Sequence, residues 1–90
     1  MSQCYKIHIE DAGVQESEAI LEEATACFSR VVAYLGTGYW QGTPSDDLIL
    51  EIITEFTEYP LIQTLLQSIK HRNPKRVLIL AAQDVTLTIL

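Results

Sequence analysis

The chain is short of several things that would narrow its function. It has two cysteines, Cys4 and Cys27, with no metal-ligand spacing and no Cys-x-x-Cys. A zinc ribbon, a dithiol redox motif and a disulfide framework are therefore not expected, and both read as ordinary reduced thiols. Long hydrophobic runs are missing. Runs such as Leu48 to Leu50 and the longest, Val77 to Ala82, fall well short of the roughly 20 residues that cross a bilayer. The start, Met1 to Lys6, lacks the apolar stretch of a secretory signal, so a cytoplasmic location is expected. Basic residues are few: six against twelve acidic, a net charge of −6. A phosphate backbone repels such a surface, and nucleic acid is not an expected partner. Chemical signatures are missing too. There is no Gly-x-Ser-x-Gly, no His-Glu-x-x-His and no calcium loop. Gly36-Thr37-Gly38 begins like a phosphate loop but is followed by Tyr39 and Trp40, without the lysine or the helix such a loop needs. No cofactor or metal is expected, and no membrane association.

What remains is globular. Of the 90 residues 48% are apolar and 20% charged, enough for one modest core in a single domain over 1–90. Tyr5, Ile7 and Ile9 alternate with Lys6, His8 and Glu10, the period of a half-buried strand. Asp11-Ala12-Gly13 ends it. Glu16 to Phe28 reads as a helix, with Ile20, Leu21, Ala24, Cys27 and Phe28 on its apolar face. That places Cys27 in the core. Arg30 to Leu35 is a second strand, continuing through Tyr39 and Trp40 if the glycines permit. Glycine inside a strand pattern marks a bulge, a bend or the close approach of another group. Thr43 to Asp47 has the composition of a turn. Leu48 to Thr54 is a third strand, and Pro60 to His71 a helix closed by Lys70, His71 and Arg72, where positive charge suits the dipole. Arg76 to Ala82 is a fourth strand. Gln83-Asp84 interrupts it, and Val85 to Ile89 forms a fifth short strand, a bent continuation or an exchanged arm.

Strand, helix, strand, strand, helix, strand is the order of the split βαβ, or ferredoxin-like, plait. This is an α+β fold with two helices on one face of an antiparallel sheet. Tyr5, Ile7, Ile9, Leu48, Leu50 and Ile52 should then face the helices. Cys4, Lys6, His8, Glu10, Ile49, Glu51 and Ile53 should face away. The open face is thus partly apolar and calls for a cover, a second copy or a partner protein.

The element order resembles many ferredoxin-like modules: small regulatory domains, subunit-interaction domains and small proteins of mobile elements. The Gly-Tyr-Trp-x-Gly hairpin ahead of an apolar strand is similar to that of small phage- or plasmid-type proteins. No function follows from a fold alone.

Gly36 to Gly42 holds three of the four glycines and the only tryptophan. Neighbouring strand residues point to opposite faces, so one of Tyr39 and Trp40 can pack inward while the other meets a partner. The leading expectation is a non-catalytic interaction or regulatory module, for instance an inhibitor of another protein. It would act through the open face and the hairpin, by Tyr39, Trp40, Gln41, Ile49, Glu51 and Ile53, and as a homodimer. A second reading is a small-molecule sensor with its ligand near the glycine-rich hairpin at a subunit boundary. A third is a small enzyme in which His8 converges with Glu10 or Glu51 for acid–base work. Against it, no further ligand stands in a recognisable motif, and the same residues are more simply an ordinary polar sheet face with Lys6 as ion-pair partner.

Overall fold

Alternating apolar residues in four segments build an antiparallel sheet in the order β2-β3-β1-β4. The computed structural model describes residues 2–88. Its elements are β1 (Ser2–Ile9), α1 (Val14–Cys27), β2 (Val31–Trp40), β3 (Thr43–Glu55), a short 3₁₀ turn (Phe56–Glu58), α2 (Tyr59–Arg72) and β4 (Leu78–Asp84). This is the βαββαβ plait that the element order predicts.

The face assignment is as the period-two pattern requires. Tyr5, Ile7, Ile9, Leu48, Leu50 and Ile52 are buried beneath the helices, with Ile20, Ala24, Ile62, Leu65 and Ile69 above them. Tyr5 also stacks on Tyr59 at the start of α2, with ring centroids 5.8 Å apart. Register is set by this pattern, because a one-residue slip would turn the buried set to solvent. Tyr5 lies between Ile52 and Ala82, and Ile7 between Leu50 and Leu80.

The ends of α1 follow local chemistry. Gly13 precedes the helix without a side-chain cap. Ser17 lies inside the first turns, buried, its hydroxyl donating to the Ala12 carbonyl at 3.1 Å. Cys27 is the last helical residue and is exposed, not in the core. Phe28 leaves the helix in an extended conformation and is itself buried, which keeps the core position that Cys27 was expected to take. Lys70, His71 and Arg72 do form the last turn of α2. Lys70 Nζ donates to the Arg76 carbonyl at 2.6 Å, and the buried Arg76 guanidinium pairs with Glu16 of α1.

Two further expectations are corrected. Thr43 to Asp47 is not a turn but the first part of β3, paired with Gly36 to Trp40. Its turn-forming residues are tolerated because the pairing of β3 with β1 stops at Leu48. Beyond that point β2 and β3 run on as a two-stranded ribbon whose outer side needs no donor, so Pro44 removes nothing from a ladder. At the other end, β4 passes through Gln83 and Asp84, which pair with Cys4 and Gln3. Residues 85–88 form no strand beyond the backbone bond from Val85 N to the Ser2 carbonyl. The rest of the expected fifth strand, Ile89, lies outside the described residues. Among the described residues, no helix is long and apolar enough to cross a membrane.

Leu50 is fully buried at the centre of the sheet. Leu50→Ala should lower the unfolding free energy by about 2–5 kcal/mol in urea titration. The exposed Glu22→Gln should change it by less than about 0.5 kcal/mol.

Candidate functional site

The glycine-rich segment turns at Gln41 and Gly42, both with positive φ, 52° and 84°, as a two-residue type I′ hairpin requires. Trp40 therefore pairs with Thr43, Gly38 with Ser45 and Gly36 with Asp47. Paired residues share a face, so Gly36, Gly38 and Trp40 lie on the open side with Ser45, Asp47 and Ile49. His8 joins them from β1, as the partner of Ile49.

Asp47 is the centre of this cluster and has no exposed surface. Its Oδ2 accepts from His8 Nε2 at 2.7 Å and from Trp40 Nε1 at 3.1 Å. Its Oδ1 accepts from Ser45 Oγ at 2.6 Å and from the backbone N–H of Asp11 at 3.1 Å. The Trp40 ring meets the His8 ring edge-on, centroids 5.2 Å apart. The same crowding explains Gly38. A Cβ there would stand 1.9 Å from Asp47 Oδ2 and 3.2 Å from Trp40 Nε1. The glycine is the opening through which the tryptophan reaches the carboxylate.

Burial acts most strongly on the Asp47 carboxyl and by itself would raise its pKa. The bonds from Ser45, His8, the Asp11 amide and Trp40 outweigh it and hold the group below the ordinary carboxylate range. An ionised carboxylate only accepts, so His8 Nε2 carries its hydrogen toward Asp47. The result is an oriented imidazole with a tryptophan clamped across it.

The polar residues expected to join His8 are placed elsewhere. Glu51 pairs with Lys6 at 3.2 Å, and the Glu10 carboxylate accepts from Val77 N at 3.0 Å. Glu10 lies past the end of β1, and Glu51 is two positions along β3 from the residue opposite His8, so the three do not converge. Ile49 is 9% exposed and underlies the cluster; Ile53 is half-buried. Of the hairpin pair, Trp40 turns in and Tyr39 is 71% exposed. Gln41 is an exposed turn residue. Asp47 and Ser45 were hidden by the turn-like composition of their segment. The legible signal was two glycines two residues apart, opposite Ser45 and Asp47 across the Gln41-Gly42 turn.

On the other side of the hairpin, two adjoining clefts of about 340 and 370 Å³ lie between β2 and the start of α1. Val14 and Leu35 line both. Gly36, Thr37 and Asp46 border one, Leu21, Ala33 and Glu18 the other. Val14 and Leu35 are 68% and 57% exposed. Among the described residues, no group of three or more His, Cys, Asp or Glu is placed to hold a metal ion.

Gly38→Ala should free the hairpin tip, shifting Trp40 emission to the red and lowering stability by about 1–3 kcal/mol. Gly36→Ala should do neither, because its Cβ would meet only Ile49 Cδ1 at an ordinary 3.7 Å. Asp47 contributes stability at any pH above its unfolded pKa of about 3.9, and that contribution is lost as pH falls through its lower folded value. Asp47→Asn should remove this part of the acid-side slope in thermal melts. It should also cost about 1–3 kcal/mol at neutral pH, since the amide nitrogen faces donors.

No protein-family model matches the chain, and no curated protein matches it. Solved structures do. A DUF3240-family protein from Shewanella baltica OS155 superposes with TM-score 0.67 at 13% identity, over 96% of this chain and 97% of that one. The divalent cation tolerance protein CutA1 from Thermus thermophilus gives 0.65 at 17%, over 99% and 88%. CutA from Synechococcus elongatus PCC7942, complexed with a Bis-Tris molecule, gives 0.62 at 7%, over 92% and 80%. At such identities the likeness is one of fold, and the chain has a CutA-like ferredoxin fold.

Proposed function

We propose that the chain is a small-molecule-binding module that works as an assembly of identical subunits, with its ligand beside the glycine-rich hairpin at a subunit boundary. The observation that carries this reading is the pair of clefts between β2 and α1. Their exposed Val14 and Leu35 supply apolar contact, while Thr37 and Asp46 supply polar groups. They open along an edge strand, where a second subunit would complete them. Support comes from the fold-level likeness to CutA, one of whose structures holds Bis-Tris. In this reading His8 and Asp47 shape the hairpin and perform no reaction.

A second reading keeps the open face for another protein, with Trp40 and the surrounding apolar residues as anchors and Tyr39 exposed on the other side of the hairpin. Val32, Tyr34 and Ile79 are 58%, 45% and 44% exposed on that face, which favours a cover of some kind.

The test is a panel of amines, metabolites and nucleotides read by thermal shift and Trp40 fluorescence. A saturable response is expected from at least one class. Thr37→Phe, a change at an exposed position, should fill the cleft and abolish that response while leaving the circular dichroism spectrum unchanged. A response that survives Thr37→Phe, or none across the panel, defeats the cleft as the site.

A further inference from the structure

We infer that the groove where α2 begins beside β4 is a separate binding site, shaped for the alkylated ammonium group of a small molecule. Phe56 and Tyr59 present ring faces there, and Asp84 supplies the counter-charge.

The sheet is uncovered at this end for a local reason. Gln3 pairs with Asp84, Tyr5 with Ala82 and Ile7 with Leu80; paired residues share a face, here the helix side. The buried stripe of α2 begins only at Ile62. Ahead of it, the 3₁₀ turn and Tyr59 border the strand ends and leave two adjoining grooves of about 420 and 310 Å³. Gln3 and Phe56 line both. Glu55 and Asp84 border the first, Tyr5 and Tyr59 the second. The clefts proposed above lie along β2, at the opposite edge of the sheet.

The side chains of the groove are held in place from below. Phe56 is 60% exposed and Tyr59 36%, and Tyr59 is anchored by its stack on the buried Tyr5. Tyr5 Oη donates to Gln3 Oε1 at 2.5 Å, and Gln3 Nε2 donates to Asp84 Oδ1 at 2.8 Å. Burial first, then Tyr59 and Asp84, push the Tyr5 hydroxyl above its ordinary pKa, so it keeps the proton it gives to Gln3. This relay fixes a carboxylate beside two aromatic rings. Among the described residues Asp84 makes no ion pair, so its charge is available to a ligand.

The lining selects the ligand class. Asp84, Glu55 and the net charge of −6 repel an anion and draw cations in. A hard metal ion needs a shell of oxygen ligands, and no group of three or more His, Cys, Asp or Glu among the described residues can hold one. A primary ammonium is strongly hydrated and has three donors to satisfy, which ring faces cannot do. An alkylated ammonium has few donors or none. Its methyl groups pack against apolar surface, and its charge is attracted to an aromatic face within about 6 Å. The grooves match the roughly 300–1,000 Å³ of small-molecule sites, which favours a free ligand over a modified lysine on another protein. The site needs neither β2 nor the hairpin, so its failure would leave the cleft reading untouched.

Choline titrated into the isotope-labelled chain and followed by amide NMR is the test. Saturable shifts are expected at Gln3, Phe56, Tyr59 and Asp84, and none at Val14 or Thr37. The neutral isostere of choline, with a quaternary carbon in place of the nitrogen, should bind at least about 5-fold more weakly. Phe56→Leu keeps an apolar side chain, and Asp84→Asn keeps the acceptor for Gln3; both positions are exposed. Each variant should weaken choline by about 2–10-fold, leave the isostere unchanged and keep the circular dichroism spectrum of the unaltered chain. The inference is overturned if choline shifts nothing at millimolar concentration, or shifts only Val14 and Thr37. An isostere that binds as tightly as choline, or variants that bind choline unchanged, also overturn it. A peptide carrying trimethyl-lysine that binds more tightly than choline would overturn the assignment to a small molecule.

Discussion

A carboxylate without solvent must find other partners, and the four hydrogen bonds at Asp47 govern how this hairpin meets its sheet. Ser45 and Trp40 come from the ribbon, His8 from β1, and the Asp11 amide from the turn that leads to α1. One side chain thus joins the ribbon to the end of β1 and the turn after it, 39 and 36 residues away in the chain. Leaving any donor out would strand buried charge, which is costly. The rest of the tip follows from this constraint. Gly38 is bare because the carboxylate occupies the space its side chain would need. Trp40 lies on the open face because its indole nitrogen is bonded there. Tyr39, next along the strand, is left facing the opposite way into solvent.

That arrangement gives the molecule two sides of different chemistry. Beneath the helices the sheet is an ordinary aliphatic core. The open side is stiffened near the hairpin by Asp47 and its partners, and is apolar toward β2 and β4. A ribbon tied to the sheet by four hydrogen bonds at Asp47 and lying beside a cleft fits the proposed binding module. The His8–Asp47 pair contributes to that order. Chemistry by an oriented imidazole would require a further reacting group, and Glu10 and Glu51 are committed to Val77 N and Lys6 instead.

Much of the plait was legible in the sequence because its elements are strongly periodic. The alternation from Tyr5 to Ile9 and from Leu48 to Ile53 set which side chains meet the helices. Pro60 and the basic Lys70-His71-Arg72 marked the ends of α2. Legibility failed where local composition and tertiary context disagree. Thr43 to Asp47 looks like a turn by residue type, yet β2 supplies a partner strand and makes it β. Cys27 fits the helical stripe, yet the core position there goes to Phe28 just beyond the helix end. Gln83 and Asp84 look like an interruption, yet Cys4 and Gln3 pair with them.

The sequence by itself determined the element order, the buried faces and the glycines that make a two-residue hairpin possible, because each depends on neighbours within a few residues. Only the tertiary structure decided that Asp47 is buried, that His8 belongs to it, and that β2, which has no charged residue, and β4, charged only at Asp84, are the two outer strands. Those facts depend on which strands become adjacent across dozens of residues. The period-two pattern excludes a one-residue slip, but strand order and the choice among registers of the same parity are settled by the packing of the whole sheet against its helices.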